Sequence, residues 1–176
     1  MFSRSLIRCV FATVVISVAC HAAWSAAPKV ADIVGVWELT AAKDLKSGTV
    51  WATDQDALWW FQFTRSHWMA LQTVRERAPL PSREAFDKMS ADEKMKASYL
   101  RVWNEQGQQV FAARGGSYTL KGDELHQVAS IAMFAEIVGV DRVLRIVRLD
   151  EKTLVVRTEF PDQPEVQNEW TFRRIE

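Results

Sequence analysis

Cysteine is nearly absent from this chain, and its two copies, Cys9 and Cys20, both lie near the N-terminus. Beyond them the sequence has no disulfide framework, no thiol nucleophile and no thiolate metal site. Histidine is scarce too: His21, His67 and His126 are the full set. No HxH or HExxH spacing occurs, so no metal site is expected. Glycine and proline number only 7 and 5, which excludes collagen-like and Pro/Gly-rich low-complexity chains. Neither sign of charge is in excess, with 22 basic and 22 acidic residues. That balance argues against nucleic acid or an anionic membrane as the main partner. A P-loop, a nucleophile elbow and a dinucleotide fingerprint are all missing. Gly115-Gly116 precedes a strand rather than a helix, so it is no phosphate cradle. No cofactor is expected.

The N-terminus is the first positive signal. Arg4 and Arg8 give a basic start, and no acidic residue precedes Asp32. Residues 9–20 form an apolar run, and small residues (Ala22, Ala23, Ser25, Ala26, Ala27) follow before Pro28. This is the pattern of a secretory signal peptide. The run is too short for a membrane span, which takes about 20 residues. The expected cut is after Ser25, with Ala27 as the alternative, so residues 1–25 leave and residues 26–176 form the mature domain. Cys20 follows Ser17-Val18-Ala19, where a lipobox wants Leu in place of Ser17, so no lipid anchor is expected. The mature chain is an exported protein, periplasmic or secreted. Losing Arg4 and Arg8 leaves it 20 basic against 22 acidic residues. It is long enough for one domain with a real core.

The mature chain reads as strands, a helical insertion, then strands. Residues 33–40 form a first strand carrying Gly35 and Trp37. Ser47-Gly48 marks a turn, with a short strand around Val50. Residues 58–64 carry Trp59, Trp60, Phe61 and Phe63 and make the strongest strand signal. Residues 68–75 are the return strand of a hairpin. Pro79 and Pro81 end it. A helical insertion follows at about 82–105. Ser82 caps a short helix, and Ser90-Ala91-Asp92-Glu93 is a capping box for a second. Met95, Tyr99, Val102 and Trp103 recur at helical spacing as one apolar stripe, and Gly107 is a natural stop. Strands follow at 116–120, 125–132, 140–149, 154–160 and 166–175, with a loop at 161–164. Short strands at close, regular spacing predict a mainly β antiparallel barrel or sandwich. Strand–helix alternation, the mark of a parallel sheet, is missing.

The segment Asp32-Ile33-Val34-Gly35-Val36-Trp37-Glu38-Leu39 resembles the Gly-x-Trp opening strand of bacterial lipocalin-like domains. The hairpin around Phe63-Thr64 and Met69 is similar to that family's second hairpin. Gly116–Leu120 with Gly122-Asp123-Glu124-Leu125-His126, Val138-Gly139 before Arg142-Val143, and Trp170-Thr171-Phe172-Arg173-Arg174 complete the resemblance, which covers residues 31–175. It implies a small antiparallel lipocalin-like barrel with a cavity, and no particular reaction. Two departures stand out: His67 occupies a turn position where the family carries Gly, and Trp59-Trp60 is bulkier than usual. In barrels of this type the Gly-x-Trp indole plugs the closed end under a last-strand arginine. Here Gly35, Trp37 and Arg173 are expected in that motif, with Arg174 as the alternative cation.

Candidate ligand contacts are Trp59, Phe61, Tyr99, Trp103, Tyr118, His126 and Arg145. The seven tryptophans left after Trp24 can line a cavity for a flat or apolar molecule as well as fill a core. His126 is also the weak catalytic candidate, an imidazole in strand register with Val128 and Ser130. His67 reads as a left-handed turn residue. Residues 142–148 set Arg145 on one strand face and Arg142 and Arg148 on the other, so an inward arginine would select an anion. Tyr99 and Trp103 would touch a ligand first if the insertion is a lid. Three readings stay open. The preferred one is a carrier of a small hydrophobic or aromatic molecule. A barrel-fold isomerase, cyclase or hydrolase would need His126, Glu136 or Glu159 facing the cavity. The third is a filled barrel with a structural or interaction role.

Overall fold

The computed structural model describes residues 27–77, 79–105, 108–160 and 163–176; for 159–160 and 163–165 it describes the backbone alone. The signal segment with its cysteines, the stop at Gly107 and residues 161–162 of the expected 161–164 loop lie outside the described residues, while 163–164 already belong to the last strand rather than to a loop. A turn of helix, α1 (Val30–Ile33), leads into β1 (Gly35–Asp44). Then come β2 (Val50–Thr53), β3 (Ala57–Phe63) and β4 (His67–Val74). The insertion holds α2 (Arg83–Asp87) and α3 (Ala91–Tyr99). β5 (Phe111–Lys121), β6 (Glu124–Ala132), β7 (Asp141–Leu149), β8 (Thr153–Phe160) and β9 (Gln163–Arg174) follow. A 3-10 turn, Ala135–Ile137, sits between β6 and β7.

All pairings are antiparallel; β1 pairs with both β2 and β3, the strands from β3 to β9 follow in chain order, and β9 returns to β1, with Trp37 opposite Arg174 and Lys43 opposite Glu169. The path β1-β3-β4-β5-β6-β7-β8-β9 therefore closes into an eight-strand barrel. β2 continues the track of β3 along β1: β3 pairs Gly35–Glu38 and β2 pairs Ala41–Lys43. The track is broken at Asp54–Asp56, where the Asp56 carboxylate accepts from the Thr53 amide and hydroxyl. The 33–40 strand thus starts two residues late and runs to Asp44, because Ile33 belongs to α1.

Closure gives every strand an inner and an outer face. Ala57, Trp59, Phe61 and Phe63 point in from β3 and alternate with Trp60 and Gln62 outside. Leu125, Gln127 and Ala129 point in from β6, and Leu154, Val156 and Thr158 from β8. Bulges reset this alternation. One between Gly115 and Gly116 leaves Ile131 on the outside at 76% exposure. A side chain on Gly116 would collide with the Val128 carbonyl, so glycine is required there. Another between Ile146 and Arg148 turns Arg148 out to Asp150.

One end of the barrel is sealed. The Trp37 indole is fully buried and donates to the Ile33 carbonyl at 2.8 Å. The Arg174 guanidinium covers its ring at 4.1 Å and donates to the carbonyls of Val34, Asp32 and Glu151. Gly35 adopts φ 141°, and a Cβ there would strike the Glu176 carbonyl and the Arg174 side chain. The arginine over Trp37 is therefore Arg174 and not Arg173. The reason is parity: Trp170, Phe172 and Arg174 share the inner face, while Arg173 lies outside on Glu38 (2.6 Å) and Asp54 (3.4 Å).

The insertion departs from expectation in one respect. Both caps form as read, with Ser82 accepting from Ala85 and the Ser90–Glu93 box complete. The apolar stripe packs only in part, through the half-buried Val102 and Trp103. Only Ala97 of α3 is buried, Met95 is 70% exposed, and the helix ends at Tyr99, so Val102 and Trp103 lie past it. His67 also differs: no described non-glycine residue has positive φ, and His67 opens β4.

Replacing Arg174 by Ala removes a cation–π contact and three carbonyl partners. It should lower stability by about 2–4 kcal/mol, read by urea denaturation. Arg173→Ala, at a half-exposed guanidinium that donates twice to Glu38, should lower the midpoint too, but by less.

Candidate functional site

The end of the barrel opposite Trp37 is open. The β1–β2 and β6–β7 connections and the described parts of the β4–β5 connection gather there. Between them lies a cavity of about 520 Å³. Trp51, Trp59, Trp68 and Trp170 wall it, Ala129 leaves room on one side, and Ile137, Val140 and Val143 edge the mouth. Its floor is the aromatic core. Trp59 lies against Trp170 with centroids 4.6 Å apart, and below them Phe61 stacks on Phe172 at 4.9 Å.

The polar groups on this wall come from the same inward positions. Arg114 stands on β5 opposite the small Ala70 and Ala132, which leave space for it. Its guanidinium lies 6.0 Å from the Trp68 ring centroid, and burial holds its pKa below the usual arginine range. Arg142 stands on β7 directly opposite Gln127 on β6. It lies 4.8 Å over the Trp170 ring, and burial together with the Arg114 cation pushes its pKa down to about 9. It therefore stays charged at neutral pH. Gln127 is 1% exposed, and neither amide atom has a hydrogen-bond partner among the described residues. The buried Trp170 Nε1 has none either. By contrast, the Trp68 indole donates to the Ser117 carbonyl and Trp51 donates to Asn168.

The sequence-derived candidates divide by place. Trp59 lines the cavity, and Phe61 lies in the core beneath it. Tyr118 is inward but lies toward the sealed end, against Phe63, with its hydroxyl donating to the Thr64 carbonyl at 2.6 Å. Its pKa is raised by burial. Tyr99 is half exposed and stacks on Trp103, which touches Phe134 near the 3-10 turn. Trp103 lines a separate, more polar recess of about 560 Å³ under the insertion, with Asp56, Arg77 and Gln108. His126 and Arg145 are outside the barrel. His126 Nδ1 meets Asp141 at 2.9 Å and its Nε2 meets Glu124 at 3.6 Å, while Arg145 meets Glu124 at 3.7 Å. An imidazole in register with Val128 and Ser130 shares their face, and that face is the outer one. Glu136 is exposed and is not among the lining residues; the Glu159 side chain lies outside the described residues. Arg114, Gln127, Trp51, Trp68 and Trp170 join the site without having been singled out. The alternation Leu125-x-Gln127-x-Ala129 was the signal for Gln127, and it competes with His126-x-Val128.

Eight up-and-down strands, an N-terminal helical turn and a tryptophan sealed by a last-strand arginine decide the architecture. The barrel is lipocalin-like. No family model matches the chain, and no curated protein does. Among solved structures it is similar to a lipocalin-like protein from Bacteroides uniformis. That chain is 15% identical, with 82% of this chain and 99% of that one covered and a TM-score of 0.45. An uncharacterized protein from Bacteroides eggerthii is also similar, at 15% identity over 80% and 98% of the two chains, with a TM-score of 0.42. A redesigned β-barrel matches at 10% identity over 84% and 95%, with a TM-score of 0.40. The closed strand path shows the eight-strand antiparallel barrel by itself. No helix among the described residues is long and apolar enough to cross a membrane.

A buried amide with no partner destabilises the fold that holds it. Gln127→Leu should therefore raise stability, by about 1–2 kcal/mol. A thermal or urea midpoint that falls would show that the amide is satisfied in solution.

Proposed function

We propose that the chain is exported, with residues 1–25 removed, and that the mature barrel binds a small hydrophobic or aromatic molecule at its open end. The supporting observation is the 520 Å³ cavity walled by Trp51, Trp59, Trp68 and Trp170. Its volume lies in the range of small-molecule sites, about 300–1,000 Å³. The filled-barrel reading fits the sealed half, where Trp37, Phe61, Phe63 and Phe172 are nearly fully buried. It does not account for the open half, where indoles of the same kind border a cavity. The enzyme reading needs an acid–base group facing the cavity. His126, its main candidate, lies on the outer face with Asp141 and Glu124.

Two measurements test this. Native mass spectrometry of protein exported and purified from a bacterial periplasm should show a one-to-one adduct of roughly a few hundred daltons, the mass range of a drug-sized ligand. The matching variant is Ala129→Phe, which places a ring in the cavity. It should remove the adduct and lower affinity for apolar fluorescent probes at least about tenfold, with the β-sheet circular dichroism retained. Equal probe binding by the Ala129→Phe protein would move the site elsewhere.

A further inference from the structure

Two arginines in one largely apolar cavity are an expensive arrangement. Each buried cation loses hydration, and the pair repel each other. Most other cations on this barrel are neutralised outside it: Arg145 by Glu124, Arg148 by Asp150, Arg157 by Glu169 and Arg173 by Glu38. Arg114 is different. Among the described residues its guanidinium faces the Trp68 ring and no carboxylate. Asp141, which also reaches the rim, is engaged by His126 on the outer side. Polar groups near Arg114 also lack partners among the described residues. Gln127 stands opposite Arg142 in the strand register with its amide unpartnered, and the Trp170 Nε1–H donates to nothing described.

We infer that the ligand of this cavity is an amphiphilic carboxylate. Its head group lies at Arg114, Arg142 and the Gln127 amide, and its apolar body lies against Trp51, Trp59 and Trp170. This rests on the cavity being a binding site, as proposed above. The planar guanidinium fork matches a carboxylate in geometry and charge. An amide N–H can add a third donor. A cationic ligand is disfavoured by the two arginines. A dianionic head group, such as a phosphate monoester, would lose more hydration on entering an aromatic cavity than a single carboxylate does. The inference also explains why Gln127 and Arg114 persist at inward positions where apolar residues would stabilise the barrel: the bound carboxylate supplies the missing acceptor.

The test uses the mature protein and two matched pairs of probes, 1-naphthylacetate with 1-naphthylacetamide, and dodecanoate with dodecanol. Affinities are read by quenching of intrinsic tryptophan fluorescence and by calorimetry. In at least one pair the acid should bind at least about tenfold more tightly than its uncharged partner, the range of one hydrogen bond to a charged group. Arg114→Met should erase that preference while leaving the uncharged compound's affinity in place. Gln127→Leu should weaken the acid severalfold even though the protein melts higher, a combination that a merely structural role does not produce. If Arg114→Met fails to fold, the Gln127→Leu arm decides. Acids and neutral partners binding equally well to the wild-type protein would overturn the carboxylate inference and leave the cavity reading standing. Loss of both compounds together in a folded Arg114→Met protein would overturn it too, making Arg114 a wall residue. If no probe binds the wild-type protein, the cavity reading fails and takes this inference with it.

Discussion

The pairing of β9 with β1 is the constraint on which the rest depends. It closes the eight-strand ring, leaving only the short β2 with an unpaired edge, and by doing so decides which face of each strand looks inward. Trp37, Leu39 and Ala42 on β1 meet Arg174, Phe172 and Trp170 on β9 across this seam, so the last strand completes the core that the first one starts. Without the seam the inward rings of β3 would be open to water, and Arg174 would have no indole to cover.

Within that closed sheet the two ends differ in kind. The end at Trp37 is saturated: its indole N–H has a carbonyl partner, and its arginine has three. The open end carries the same residue types in the opposite condition. Trp170, Gln127 and Arg114 are turned inward, yet their donors meet apolar walls or an aromatic face. Stability and binding capacity are therefore separated along the barrel axis, and substitutions at the two ends should act on different properties.

Much of the architecture was readable in the sequence. The aromatic run of residues 58–64, the Ser82 cap, the Ser90–Glu93 capping box and the turn residues placed the first hairpin and the insertion within a few residues, although β5 starts at Phe111 rather than at 116. The Gly35-Val36-Trp37 segment identified the plug. What the sequence could not supply was parity. Leu125-Gln127-Ala129 and His126-Val128-Ser130 are interleaved and similarly mixed in polarity, so only closure decides that Gln127 faces in and His126 out. The same one-residue choice separates Arg174 from Arg173 and Arg142 from Arg145. Bulges at Gly115–Gly116 and Ile146–Arg148 reset the alternation part-way along a strand. The stripe of the insertion held only in part for a different reason: helical periodicity shows that a face could pack, and not that a partner lies opposite each residue, so Trp103 meets Phe134 while Met95 stays exposed.

The central claim is that the open end, and not the sealed one, receives an anionic amphiphile. Arginine side-chain Nε–H resonances in nitrogen-15 labelled protein report this directly, because the relevant cations sit at opposite ends. On titration with dodecanoate the account predicts that the Arg114 and Arg142 resonances shift together and saturably, while those of Arg173 and Arg174 stay in place. Saturable binding that moves Arg174, or that leaves Arg114 and Arg142 unmoved, would contradict it.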